Sequence, residues 1–278
     1  MGVAARGRGP RRERSDLGAR VLAAIPAAIF AGFIVYQGGA VFAIGVVALG
    51  LVCLHELFEM YERVLPIRLA AFLGLGGMVA AAGFGDERQV LLATVAFFPV
   101  LFLLALTTPE REGGPSLTAS MALTALGTLW IGLAVAHAVL LRQLDHGGAL
   151  VLAVLLGTFL GDTAAYLGGR LLGTRRLAPR ISPAKTWEGL AIGALVATFT
   201  VWWFGLGAEW MGGQKGILLG LGVAVAAPLG DLFESKVKRD AGTKDAGSLF
   251  GAHGGALDRL DAALFSLVAG YYLWLAVA

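Results

Sequence analysis

The chain reads as a series of long apolar blocks separated by short polar ones. A helix needs about 20 apolar residues to cross the hydrocarbon of a bilayer. Blocks of that size fall near 19–37, 40–61, 67–85, 89–108, 117–141, 148–168, 187–206, 216–234 and 259–277. The pattern predicts an all-α, polytopic transmembrane bundle of about nine spans. Only Gln37, Gly38 and Gly39 part the first two blocks, which is enough for a tight turn. No internal repeat, low-complexity linker or soluble domain interrupts the series. The expected organisation is a basic tail over 1–18, membrane helices over 19–145 and a second helical set over 146–278 that carries the polar motifs.

Composition agrees with that pattern. Residues are 57% hydrophobic and 15% charged, with a mean hydropathy of +0.76; soluble domains hold about 25% charged residues. The 41 glycines suit closely packed membrane helices, in which small residues let backbones approach. The single cysteine, Cys53, lies inside an apolar block and reads as a small buried residue.

A net charge of +3 and a pI near 9.2 could indicate nucleic acid, but the charges are placed as topology signals, and no nucleic-acid partner is expected. With the N-terminus inside, only Arg88, Arg142 and Lys215 of the 22 lysines and arginines fall in outer segments. The positive-inside rule then predicts a cytoplasmic N-terminus, an outer C-terminus and an odd number of spans. Arg6, Arg8, Arg11, Arg12 and Arg14 precede the first block as a cytoplasmic tail rather than a signal peptide. Trp202, Trp203, Trp210 and Trp274 fall near the outer interface, as aromatic belts do.

Two segments on the cytoplasmic side concentrate polar chemistry. The first runs from Gly161 to Gly189. Asp162 stands within an apolar run, where a carboxylate is costly. Arg170, Arg175, Arg176 and Arg180 crowd the glycine-containing loop that follows. Ser182-Pro183 is expected to open a helix, with Ser182 as cap, Pro183 in the first turn, and Lys185 and Thr186 beside it. Free N–H groups, a hydroxyl and an ammonium at a helix start make an anion site. The same segment reads equally as an ordinary positive-inside loop before a capped helix.

The second segment, Pro228 to Asp261, is more specific. On a helix, Asp231, Glu234, Ser235 and Lys238 share one face. Lys236, Lys238, Arg239 and Lys244 supply four positive charges over nine residues. Asp258 and Asp261 share a face at the start of the last span. Asp231 and Asp258 are expected to face one another across a hard divalent ion such as Mg²⁺, which takes carboxylate, phosphate and water oxygens. A solvated charge run is the alternative.

These segments resemble the phosphatidate cytidylyltransferase family, membrane enzymes that make CDP-diacylglycerol. The carriers are Ser235-Lys236-Val237-Lys238-Arg239, Lys244-Asp245 and His253-Gly254-Gly255-Ala256-Leu257-Asp258-Arg259-Leu260-Asp261. Upstream stand Ser182-Pro183-Ala184-Lys185-Thr186-Trp187-Glu188-Gly189 and the run from Asp162 to Arg170. The match covers about residue 155 to the end; before that only hydropathy agrees. One departure is Gly251-Ala252, where the family usually has Pro-Gly before the histidine.

The resemblance implies CTP and phosphatidic acid as substrates, with CDP-diacylglycerol and pyrophosphate as products. It implies Mg²⁺, alone or with a second metal ion, at the inner-membrane surface facing the cytoplasm. Asp231 and Asp258 are the expected metal ligands, with Asp261 as a further one. Lys238, Arg239 and Lys244 are expected on CTP phosphates, and Ser182, Lys185 and Thr186 on phosphate from the first segment. Ser235, Lys236, Asp245, His253 and Arg259 complete the expected binding set. Small-residue faces also fit a homodimer.

Other classes leave different marks. A CTP-dependent polyprenol or phytol kinase shares related motifs but takes an alcohol acceptor. CDP-alcohol phosphotransferases carry a paired-aspartate motif that is absent here. A transporter with a gated anion site calls for symmetric broken helices, whereas polar chemistry here is confined to the last part. Glu56 and Glu59 in the second block, beside His55, fit either a lipid-substrate cavity or pairing between helices; His137 is a further polar group, in the fifth block.

Overall fold

A computed structural model describes residues 28–108, 113–247 and 254–278. The helices are α1 (Ala28–Gln37), α2 (Gly39–Met60), α3 (Arg68–Phe84), α4 (Glu87–Leu106) and α5 (Leu117–Gly127). After them come α6 (Leu133–Gln143), α7 (Gly147–Leu172), α8 (Trp187–Leu206), α9 (Gly212–Asp240) and α10 (Leu257–Val277). A π-helical turn, Thr128–Gly132, joins α5 to α6 in one continuous span, and a 3₁₀ turn, Glu62–Val64, follows α2.

Every expected block holds a helix. Among the described residues, seven are long and apolar enough to cross a membrane, counting α5–α6 as one. The difference from nine lies in α1, described from Ala28 on, and α3, of 17 residues. The basic tail expected over 1–18 lies outside the described residues.

The bundle has two apolar surfaces. Inward, Leu54, Leu57, Phe58, Leu75, Met78 and Ile131 are fully buried. Outward, α4 exposes Leu91, Leu92, Val95, Phe98, Phe102 and Leu103. A helix apolar on both sides is stable where the surrounding solvent is itself hydrocarbon. Pro99 and Pro228 are accommodated inside α4 and α9, as prolines are in packed membrane helices.

Successive helices alternate in direction. The ends of α2, α4, α7 and α9 and the starts of α3, α5, α8 and α10 therefore lie together. Tyr61 displays this: its hydroxyl donates to the Val237 carbonyl at 2.9 Å and to Asp240 Oδ2 at 3.0 Å. Burial, and then the adjacent Asp240 carboxylate, push that phenol up to about 12. At the other end His146 stacks on Trp210, and Trp210 meets Trp274 edge-on.

Helices α7, α8, α9 and α10 pack most extensively on one another. At Gly230 of α9 a Cβ would overlap the Asp261 carbonyl of α10, so glycine permits that close crossing. Helix α9 has 29 residues, about 43 Å at 1.5 Å per residue, against about 30 Å of hydrocarbon. The charged face occupies the last turns of this helix.

One element departs from an all-α chain. Strands β1 (Arg176–Ala178) and β2 (Ser182–Thr186) form a small antiparallel hairpin with Arg176 opposite Thr186 and Ala178 opposite Ser182. Ser182-Pro183 therefore does not open a helix. The cap of α8 is Thr186, whose Oγ1 accepts from Gly189 N at 3.1 Å. Pro183 needs no ladder hydrogen bond in a two-stranded ribbon, and Trp187 begins the helix four residues later than expected.

Candidate active site

A cavity of about 610 Å³ opens where α7, the hairpin, α8 and α9 meet. Its polar lining includes Asp162, Arg170, Arg176, Ser182, Lys185 and Asp231; Ala165, Tyr166, Leu177, Leu190 and Pro228 supply apolar wall. Pro228 and Asp231 of the second segment thus share this space with the first. The Lys185 ammonium lies 2.6 Å from Asp231 Oδ2. Ser235 Oγ donates to Asp231 Oδ1 at 3.4 Å. Thr186 lines the same cavity and is buried by its capping role.

A second polar group lies further along α9. Lys238 Nζ donates to Asp258 Oδ1 at 2.6 Å and stands 2.5 Å from Glu234 Oε2. Glu234 and Asp258 thus share the one ammonium. Asp258 Oδ2 accepts from the backbone of Ala246 at 2.9 Å and of Gly255 at 2.7 Å. Asp261, one turn into α10, is buried within electrostatic reach of Asp231 and Glu234. Asp162 is likewise an electrostatic neighbour of Asp231 and Lys185.

The remaining expected residues spread around this centre. Arg239 donates from Nε to the Ile181 carbonyl at 3.3 Å and from Nη1 to the Thr243 carbonyl at 3.1 Å. It thereby ties the α9 end to the hairpin. Lys236, Lys244, Asp245 and Arg259 are exposed at the same end. His253 and the altered pair Gly251-Ala252 lie outside the described residues. Asp231 and Asp258 each meet a different lysine, Lys185 and Lys238. Among the described residues, no three His, Cys, Asp or Glu side chains form a group that could hold a metal ion by themselves.

Three further acidic side chains bear on the site. Glu234 is fully buried, although it shares the helix face of Asp231, Ser235 and Lys238. Glu188 folds back on the loop after α7, taking the Thr174 hydroxyl at 2.6 Å and the Thr174 and Arg175 amides at 3.1 and 3.3 Å. Glu56, from the other half of the chain, accepts from Ala256 N and Leu257 N at 2.9 and 2.8 Å. Of the two roles open to Glu56, pairing between helices is the one observed.

Comparison with known proteins agrees with this geometry. Residues 18–277 match the model of the cytidylyltransferase family. The phosphatidate cytidylyltransferase of Bacillus subtilis is 32% identical over 93% of this chain and 97% of its own length. That of Brucella melitensis is 32% identical over 95% and 94%. The Mycobacterium bovis enzyme of the same name is 36% identical over 70% of this chain and 64% of its own length. The membrane-edge site of lysine–aspartate pairs is therefore set in a chain that belongs to the cytidylyltransferase family.

Proposed function

We propose that this protein transfers the cytidylyl group of CTP to phosphatidic acid, giving CDP-diacylglycerol and pyrophosphate. The observation that carries the reading is the convergence of Lys185–Asp231 and Lys238–Asp258 where apolar helices end. A lipid phosphate and a water-soluble nucleotide can meet at such a boundary. The excess of basic residues on this side supports a site that faces the cytoplasm in the inner membrane.

The nucleophile is a phosphate monoester oxygen, already anionic at neutral pH. It attacks the α-phosphorus of CTP, and a P–O bond forms as the bond to pyrophosphate breaks. No strong base is required. The difficulty is to bring two anions together and to disperse charge on the leaving group, which preorganised cationic groups do. Lys185 and Ser182 in the cavity bind phosphate, with Thr186 fixing the α8 start beneath them. Lys238, Arg239 and Lys244 serve the CTP phosphates, and Lys236, Ser235, Asp245, His253 and Arg259 complete the binding set.

The donor set suits a hard cation. Asp162, Asp231, Glu234, Asp258 and Asp261 are set around two ammonium groups, Lys185 and Lys238. Mg²⁺ is typically held by one or two carboxylates, with substrate phosphates and water completing its shell. Asp231 would hold it from the cavity wall, with Asp258 and Asp261 of α10 contributing; a second ion would draw on the same carboxylates. Bound there, Mg²⁺ supplies electrostatic stabilisation of the phosphates. A homodimer belongs to the same reading, supported by Gly76, Gly77 and Gly83 of α3, which meet only open space outward.

The decisive experiment is the purified protein in mixed micelles of phosphatidic acid with labelled CTP. Mg²⁺-dependent pyrophosphate release with formation of CDP-lipid is expected. Production of CDP with a phosphorylated alcohol, or no turnover, would overturn the reading.

A further inference from the structure

The motif residues lie in α7 to α10 and their loops, but the turn that carries Asp258 is held from α2. Glu56 stands one turn before the end of α2 and is 5% exposed. Its Oε1 and Oε2 each accept one backbone N–H, from Ala256 and Leu257. These belong to the start of α10, where the first N–H groups have no partner inside the helix. Ala256, at the cap position, has no side chain to serve them. A carboxylate 200 residues away takes the place of a local cap, and its charge complements the helix dipole.

The surrounding backbone is moulded to that carboxylate. A Cβ on Gly247 or on Gly255 would overlap the Glu56 carboxyl group. Ala246 and Gly255 are also the two residues whose amides hold Asp258 Oδ2. Contacts therefore run from Glu56 through the Gly255–Leu257 backbone to Asp258, and from Asp258 to Lys238. Glu56 itself does not line the cavity.

We propose that Glu56 is a positioning residue for the cytidylyl transfer inferred above, a reading on which this inference rests. It fixes the first turn of α10 so that Asp258 presents its Oδ1 to Lys238. Because it acts through backbone, its removal lowers turnover without removing any group that touches substrate.

The test compares full-length wild type, Glu56→Gln, Gly255→Ala and the double variant in phosphatidic acid micelles. Glu56→Gln keeps the volume but turns one acceptor into a donor facing an N–H. Gly255→Ala keeps the charge and displaces the carboxyl group. Each single variant is expected to lower kcat about tenfold or more per folded molecule. KM for phosphatidic acid should change by less than about twofold. The double variant should lose little beyond the worse single one, because both act on one turn. Amide exchange at residues 255–257 should quicken while the rest of α10 stays protected. Unchanged kcat, multiplicative losses, or a loss that only tracks the folded fraction would each overturn the proposal. Should Glu56→Gln fail to fold, kcat and amide exchange in Gly255→Ala decide alone. A wild type inert towards CTP and phosphatidic acid would sink the assigned reaction instead, while the exchange pattern would still report on the clamp.

Discussion

Lys238 and Glu234 pair one turn apart on α9, with Nζ 2.5 Å from Oε2 and the glutamate side chain wholly without exposure. Asp258 shares the same ammonium at 2.6 Å. Removing the lysine leaves two carboxylates facing each other in a poorly hydrated site. Lys238→Met is expected to destabilise the protein by about 3–5 kcal/mol, as loss of one member of a buried ion pair does. Thermal unfolding in detergent measures this. Glu234→Gln in the same chain should restore much of the stability and none of the turnover.

Asp258→Asn should retain the fold and lose turnover by at least about a hundredfold, the scale on which a preorganised charge contributes. The amide oxygen can still accept from the Ala246 and Gly255 N–H groups, but its NH2 then faces the Lys238 ammonium in place of a charged acceptor. CDP-lipid formation per folded molecule is the readout. Activity like that of the wild type would remove Asp258 from the chemistry.

Lys185→Ala should weaken phosphate binding. Its ammonium meets Asp231 at the cavity wall, and both side chains are partly exposed. Some loss of stability should accompany it, because the buried ammonium offsets the charge of Asp231. KM for a phosphate-bearing substrate should rise by about tenfold, the order of one charge-assisted hydrogen bond. Steady-state kinetics with each substrate varied in turn identifies which phosphate it serves.

Gly230→Ala tests the crossing of α9 and α10. The added methyl would meet the Asp261 carbonyl and the Phe265 ring. Overpacking of this kind costs about 1–3 kcal/mol. A lowered unfolding temperature is expected, with turnover reduced as Asp258 and Asp261 move with α10.

Chelation by EDTA should abolish turnover, and added Mg²⁺ should restore it, if the carboxylates around Asp231 serve a hard cation. Turnover that persists through exhaustive chelation would exclude that role.

The long periodic features were legible from sequence, and the helix positions follow the apolar blocks closely. The block expected over 187–206 is the helix Trp187–Leu206. The face of Asp231, Ser235 and Lys238 also follows from helical spacing alone, since Ser235 reaches back four residues to Asp231. The hairpin at 176–186 was not legible. Ser-Pro is a sound local signal for a helix start, but pairing of Arg176 with Thr186 depends on a register that no local pattern encodes. The partners of Asp231 and Asp258 were hidden for a related reason. Spacing shows which residues share a face, but not that separate lysines reach the two aspartates. Glu56 marked itself as a costly buried charge, yet its partners are backbone amides some 200 residues on, and amides leave no trace in side-chain identity.

That long-range cap bears on how such a chain can be divided. A fragment beginning at Gly147 would contain Asp162, the hairpin, the whole charged face of α9 and both aspartates of α10. It would still lack the one carboxylate that satisfies the amides of Ala256 and Leu257. The motif-bearing half is thus not a transplantable module. A chimera that grafts it onto foreign membrane helices should recover activity only when α2, or an acid placed as Glu56 is, travels with it.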